Sequence, residues 1–222
     1  MPRAVTFSRE QIGAAALDLV RREGWDALTA RGLAAALGTS VAPIYGAFDS
    51  MESLQAWVLG EASRLLSEAR TRPRTDSGFL NSGIGLVLFA RDEPRLFLAL
   101  YRAGMEGELE RHRREVRSRM KEDAFLASLE AGELDRIFDQ LWTYTMGMVL
   151  DMLFGHAKDR SEEGVAARLR SAGSLLMYGV LSGLDEDGGP EARERWTELF
   201  KRRGWTIPPR AGNFRNEPVS GR

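Results

Sequence analysis

The sequence predicts an all-α protein, a small N-terminal module of three helices joined to a larger helical bundle of about nine to ten helices in total. Three observations carry this expectation. Apolar residues recur at the i, i+3, i+4 and i+7 spacing of a helix face in almost every segment. Strand-like alternation never runs beyond a few residues. Ser or Thr precedes, and Gly follows, many of these stretches, as helix caps do. With 222 residues, 43% of them hydrophobic and 28% charged, a sizeable core is within reach. A net charge of -1 means that a polyanion would have to be met by a local patch. Cysteine is absent, which excludes disulfides and thiolate chemistry. No charged-then-apolar leader opens the chain, and no apolar run approaches the ~20 residues of a membrane span. A cytoplasmic protein with no membrane partner is expected.

The first helix starts at Phe7-Ser-Arg-Glu-Gln11. Ser8 serves as N-cap, Gln11 closes a capping box, and Phe7 is placed to staple onto Ile12. Ile12, Ala15, Ala16 and Leu19 form its apolar face, and Gly24 stops it. Thr29 caps a second helix with Leu33 and Leu37 on one side, ended by Gly38. Thr39 and Ser40 offer hydroxyls for a third. With Ser40 as N-cap this helix begins at Val41, Pro43 falls in its first turn, where the missing N–H has no partner anyway, and Val41, Ile44, Tyr45 and Phe48 share a face. Two short helices joined by a three-residue break are the pattern of a helix-turn-helix, whose second helix enters the DNA major groove.

Asp49 or Ser50 caps a longer helix with Leu54, Trp57, Val58, Leu65 and Leu66, fading at Thr71 to Asp76. Ser77 opens the next, with Leu80, Ile84, Val87 and Leu88 on one face, and Arg91 to Pro94 makes a corner before Phe97, Leu100, Tyr101 and Met105. Acids and bases alternate from Glu106 to Asp123 around Leu109, Val116 and Met120, a solvated helix with i,i+4 ion pairs. Leu134 to Phe154 is apolar nearly all the way round, so it needs cover on both sides. Ser161 to Leu184 follows, with Leu169, Leu176 and Val180 as core candidates and small positions at Gly173, Gly179 and Gly183. Pairing these two helices with their copies in a second subunit would cover the surplus faces, with Leu141, Met148, Met152, Leu176, Gly179 and Gly183 at the interface. A last amphipathic helix, Pro190 to Arg203, carries Trp196 and Leu199, and the tail from Thr206 is expected to be disordered.

Catalytic signatures are sparse. There is no nucleophile elbow, and Gly83-Ile-Gly85 lacks the third glycine of a phosphate loop. His112 and His156 read as solvated or capping residues, so no enzyme, metal or cofactor is expected.

The first module resembles the DNA-binding domain of TetR-type transcriptional regulators. The likeness is carried by Ile12, Ala15, Ala16 and Leu19, then Gly24, Leu28-Thr29, Leu33-Ala34, Leu37-Gly38-Thr39-Ser40, Ile44-Tyr45, Phe48 and Ser50 through Leu54. It covers about the first quarter of the chain. The resemblance implies a helix-turn-helix domain over 1–50, a connecting helix over 51–73, a ligand-binding and dimerisation bundle over 74–204, and a tail over 205–222. It implies double-stranded DNA as partner, contacted by Thr29, Arg31, Thr39, Ser40, Ala42, Pro43 and Tyr45, with the Tyr45 ring packed inward and its hydroxyl on a phosphate. It further implies a homodimer, most readily a repressor released from a palindromic operator by a small hydrophobic effector. Phe89, Phe97, Tyr101, Trp142, Met146 and Met177 are the candidates to line the effector site, because aromatic and methionine side chains suit apolar cavities. Gly46, Ala47 and Met51 stand where the family often has basic residues, and Val41, Ala42 and Pro43 bring no hydrogen-bonding side chain. An alternative is therefore a dimeric small-molecule- or protein-binding module of the same fold with weak DNA binding.

Overall fold

The structure, a computed structural model, describes residues 7–103, 106–122 and 126–181. The chain divides into two compact bodies, Met1–Ser174 and Leu175–Arg222. Among the described residues the regular structure is helical: α1 (Arg9–Glu23), α2 (Ala30–Leu37), α3 (Ala42–Ala47), α4 (Met51–Thr71), α5 (Gly78–Asp92), α6 (Pro94–Arg102), α7 (Glu106–Glu122), α8 (Ala131–Leu153) and α9 (Glu162–Leu181), with 3-10 turns at Trp25–Ala27 and Leu126–Ser128. The expected helix over 190–203, the tail, Met105 and Gly183 lie outside the described residues. No described helix is long and apolar enough to cross a membrane.

Local chemistry sets most of the boundaries. Ser8 accepts from the Gln11 N–H at 3.2 Å while Ser8 N–H donates to the Gln11 side chain at 2.8 Å, a complete capping box. Ser50 and Ser53 repeat the arrangement at α4, and Ser77 accepts from the Leu80 N–H at 3.2 Å at α5. Pro94 sits in the first turn of α6, where its lack of an N–H is harmless.

One apolar core runs through the first body, from Ile12, Leu19 and Val20 of α1 through Leu54 and Val58 of α4 to Met148, Val149 and Met152 of α8 and Val165 and Leu169 of α9. Its centre is α5, where Ile84 through Ala90 are all buried. α5 meets α4 at close range: a Cβ on Gly85 would collide with the Ala69 carbonyl and the Arg70 Cα, so only glycine permits this backbone approach. At the same corner the buried Arg70 pairs with Glu115 of α7 at 2.9 Å, and Asn81 accepts from the Thr75 N–H at 2.8 Å and donates to the Thr75 carbonyl at 2.9 Å.

The core placement corrects the expected dimer face. Met148 and Met152 are each 2% exposed and Leu141 8%, because the side of α8 that carries them is covered by the chain's own helices. The exposed side of α8 is a different one, with Tyr144, Gly147, Leu150 and Phe154 along it. Leu176 and Gly179 lie on α9, where Leu176 is half-buried.

Candidate nucleic-acid interface

α2 is held by Thr29, whose hydroxyl accepts from the Gly32 N–H at 3.0 Å, while Leu28, Leu33 and Ala34 fasten its inner side to α1. Its end is a Schellman turn. Gly38 adopts φ 64°, the Thr39 N–H bonds the Ala34 carbonyl at 3.0 Å, and the Gly38 N–H bonds the Ala35 carbonyl at 3.1 Å. These two bonds close the helix and turn the chain into α3 within four residues.

α3 begins one residue later than the sequence suggests. Val41, in helical backbone conformation and without a side-chain cap, occupies the N-cap, and Ala42 and Pro43 are the first two helical residues. The Val41 carbonyl accepts from both Ile44 and Tyr45, so Ser40 is displaced from the cap and leaves its hydroxyl exposed. The anchoring of α3 is narrower than the expected four-residue face. Ile44 and Phe48 are each 1% exposed, whereas Val41 is 39% and Tyr45 50% exposed. The Tyr45 ring therefore stands outward instead of packing inward. Phe48 is gripped from two sides: Trp57 of α4 meets it edge-on with centroids 6.4 Å apart, and the Arg9 guanidinium lies 4.1 Å above its ring. Arg9 also donates to the Ala47 carbonyl at 2.7 Å, which satisfies an otherwise unpaired C-terminal carbonyl of α3. No local pattern foretells this contact, since Arg9 and Ala47 lie in different helices.

None of the expected contact residues is taken up by the core. Thr29, Arg31, Ser40, Ala42 and Tyr45 are exposed, and Thr39 and Pro43 half-buried. The charge on this module is largely spoken for. Arg9 is committed to α3, Arg21 pairs with Glu93 at 3.0 Å, and Arg22 pairs with Asp18 at 2.9 Å. Arg31 makes no ion pair or hydrogen bond among the described residues. Three contacts tie the module to α6: the Arg21–Glu93 pair, Arg95 donating to the Arg21 carbonyl at 3.3 Å, and Arg102 meeting Asp26 at 3.3 Å.

The residues expected around an effector are divided. Phe89 and Phe97 lie in the common core, with Trp142 and Met146 packed against it. Tyr101 stacks on Phe97 at 6.3 Å but is 54% exposed, because α6 turns that side outward; it does not line an enclosed space. Met177 is half-buried on α9. His156 is exposed, 6.4 Å from the Phe154 ring, and His112 lies on α7. Among the described residues no group of metal-ligating side chains is assembled.

Two short helices locked by a glycine turn, the second fastened by Ile44 and Phe48 and bare on its outer side, define a helix-turn-helix protein of the DNA-binding kind. Residues 12–56 match the family described as bacterial regulatory proteins, tetR family. An HTH-type transcriptional regulator of Mycobacterium tuberculosis is 45% identical over 53 residues, 24% of this chain and 24% of that protein, so the match spans about a quarter of that relative's length. A TetR-like transcriptional regulator from Rhodococcus sp. RHA1 shares the fold with a TM-score of 0.56 at 21% identity, over 81% of this chain and 99% of that one. The likeness to the tetR family is carried by the N-terminal domain, over residues 12–56.

Proposed function

We propose that this protein is a homodimeric transcriptional repressor that reads a palindromic operator with α3 and is released by a small hydrophobic effector. Residues 1–50 act as the reading domain, 51–73 as the connecting helix, and 74–204 as the sensing and dimerising bundle. The observation that carries the DNA half is the condition of α3: Ile44 and Phe48 are buried while Val41, Ala42 and Tyr45 are bare, so the helix is fixed from behind and free in front. Thr29 and Arg31 flank it as phosphate contacts, which set register without reading sequence. A two-fold dimer would place two such helices in successive major grooves about 34 to 36 Å apart.

The exposed side of α8 supports the dimer. Tyr144 is 36%, Leu150 49% and Phe154 69% exposed, and Gly147 between them has open space around it, which suits close approach of a second helix. The Leu150→Glu, Phe154→Glu double variant is expected to sediment as a monomer. The effector half rests on the carbon-rich set Phe89, Phe97, Trp142 and Met146, which favours an apolar ligand. Its binding would shift the DNA-bearing state by no more than its difference in affinity for the two states.

The deciding experiment is an anisotropy titration of the full chain, at low salt, against a labelled duplex from the region upstream of its own gene. Binding about 10³-fold tighter than to an unrelated duplex is expected; equal affinity for both would sink the reading. A second reading, a sensing dimer with weak DNA binding, is favoured by the commitment of Arg9, Arg21 and Arg22 to internal partners. It requires a shallow salt dependence, because few phosphates would be neutralised.

A further inference from the structure

We infer that α3 selects its operator through the C5-methyl groups of thymine, so that the preferred half-site carries T·A pairs where Val41 and Ala42 face the major groove. The inference rests on the DNA-binding reading above and gives it a sequence preference.

The argument is one of missing side chains and of which ones face outward. Hydrogen-bonded readout of guanine uses Arg or Lys, adenine uses Asn or Gln, and cytosine uses Asp or Glu. From Gly32 to Phe48 the chain holds none of these six residue types. The polar side chains in that stretch are the hydroxyls of Thr39, Ser40 and Tyr45, which accept or donate one bond at a time and discriminate weakly between bases. Arg31, in the first turn of α2 two residues after the Thr29 cap, is placed with the backbone contacts. The outward residues of α3 are instead Val41, Ala42, Tyr45 and Gly46, all exposed. Gly46 has nothing within 4 Å of where a Cβ would stand, and Ala42 adds only a methyl. This side of the helix can therefore lie close to the groove floor. The feature of the major groove that an apolar surface recognises is the thymine methyl.

Val41 is well placed for that task because it is not used for folding. It holds the N-cap of α3 outside the buried core, and 39% of it remains in contact with solvent. Covering one methyl group by apolar contact changes affinity about fourfold, and covering equivalent methyls in both half-sites about 15-fold.

The test uses a random duplex pool selected on the full-length protein at low salt and amplified with ordinary thymine. The enriched duplex is then remade with uracil for thymine, one position at a time. Pairing and the groove hydrogen bonds are unchanged and only the methyl is lost. The expected result is a drop of about fourfold at one or two positions per half-site and about 15-fold when both half-sites change together. The Val41→Ala variant should narrow that ratio while leaving the salt slope unchanged; its folding is checked by circular dichroism. If uracil duplexes bind as tightly as thymine duplexes, the methyl readout is overturned and DNA binding stands. If no duplex is enriched, the DNA-binding reading itself falls.

Discussion

Among the arginines of the proposed reading domain, Arg31 is the one at which a phosphate contact can be tested apart from structural roles. Its neighbours in sequence, Arg21 and Arg22, are held by Glu93 and Asp18, and Arg9 clamps the end of α3. Removing any of those three would disturb packing as well as charge. Arg31 is exposed and has no partner among the described residues, so Arg31→Ala is expected to leave the unfolding midpoint in place. In the proposed dimer it removes the two proposed phosphate contacts. The slope of log K against log salt should become shallower by about 2, with the same proportional loss on every duplex. Anisotropy titrations over a salt series measure both quantities. A loss confined to one sequence would show instead that Arg31 reaches a base.

Between elements, the decisive contact is the crossing of α4 and α5 at Gly85. A Cβ there meets backbone, the Ala69 carbonyl and the Arg70 Cα, and backbone cannot step aside as a flexible side chain can. Gly85→Ala is expected to destabilise the fold by about 1–3 kcal/mol despite alanine's better helix propensity. Gly60, exposed in the middle of α4 with open space around it, is the control. Gly60→Ala should stabilise by about 0.5–1 kcal/mol, read from urea midpoints of the two variants. The same crossing shows what the sequence could and could not reveal. The helix starts were legible because caps are local chemistry: Ser8 with Gln11, Thr29 with Gly32, Ser50 and Ser77 all act where their spacing places them. Ser40 misled because the Schellman turn orients the chain so that the Val41 carbonyl begins the helix, an effect of backbone geometry that no side-chain pattern records. The central helix misled for another reason. α5 contains Asn81, Ser82, Gly83 and Gly85 and its spacing marks a single apolar face of Leu80, Ile84, Val87 and Leu88, yet every residue from Ile84 to Ala90 is buried. Periodicity tells which residues share a face; it is silent on which neighbour covers that face. Hence the pattern points Met148 and Met152 at a second subunit, whereas the core of their own chain encloses them, and it gives no sign that Tyr144, Leu150 and Phe154 face outward.

In the molecule as a whole, the reading helix is the weakest element by itself. α3 has six residues and no side-chain cap, and isolated helices of that length do not persist in water. It exists because α1 supplies Arg9 and α4 supplies Trp57, so its order follows theirs. Both supporting helices are capped by serine with a glutamate in the first turn, and acid acts on those glutamates. Glu10 accepts from its own backbone N–H and from the Ser8 hydroxyl, and Glu52 likewise from its own N–H and Ser50; these bonds hold both carboxyls below the ordinary 4.5. At the start of α9 the Ser161 hydroxyl, and then its backbone N–H, hold Asp159 below the ordinary 3.8. In each case the folded chain binds the proton less readily than the unfolded chain does. The stabilisation is therefore complete above the unfolded value and is lost as pH falls through the lower folded one. These three groups should leave the urea midpoint unaffected between about pH 7 and 5 and lower it modestly towards about pH 3, because all three carboxyls face solvent. Glu10→Gln with Glu52→Gln should flatten that acid slope, and hydrogen exchange of the α3 amides should accelerate over the same range. An acid slope unchanged in the double variant would show that the caps of α1 and α4 do not set the acid sensitivity of α3.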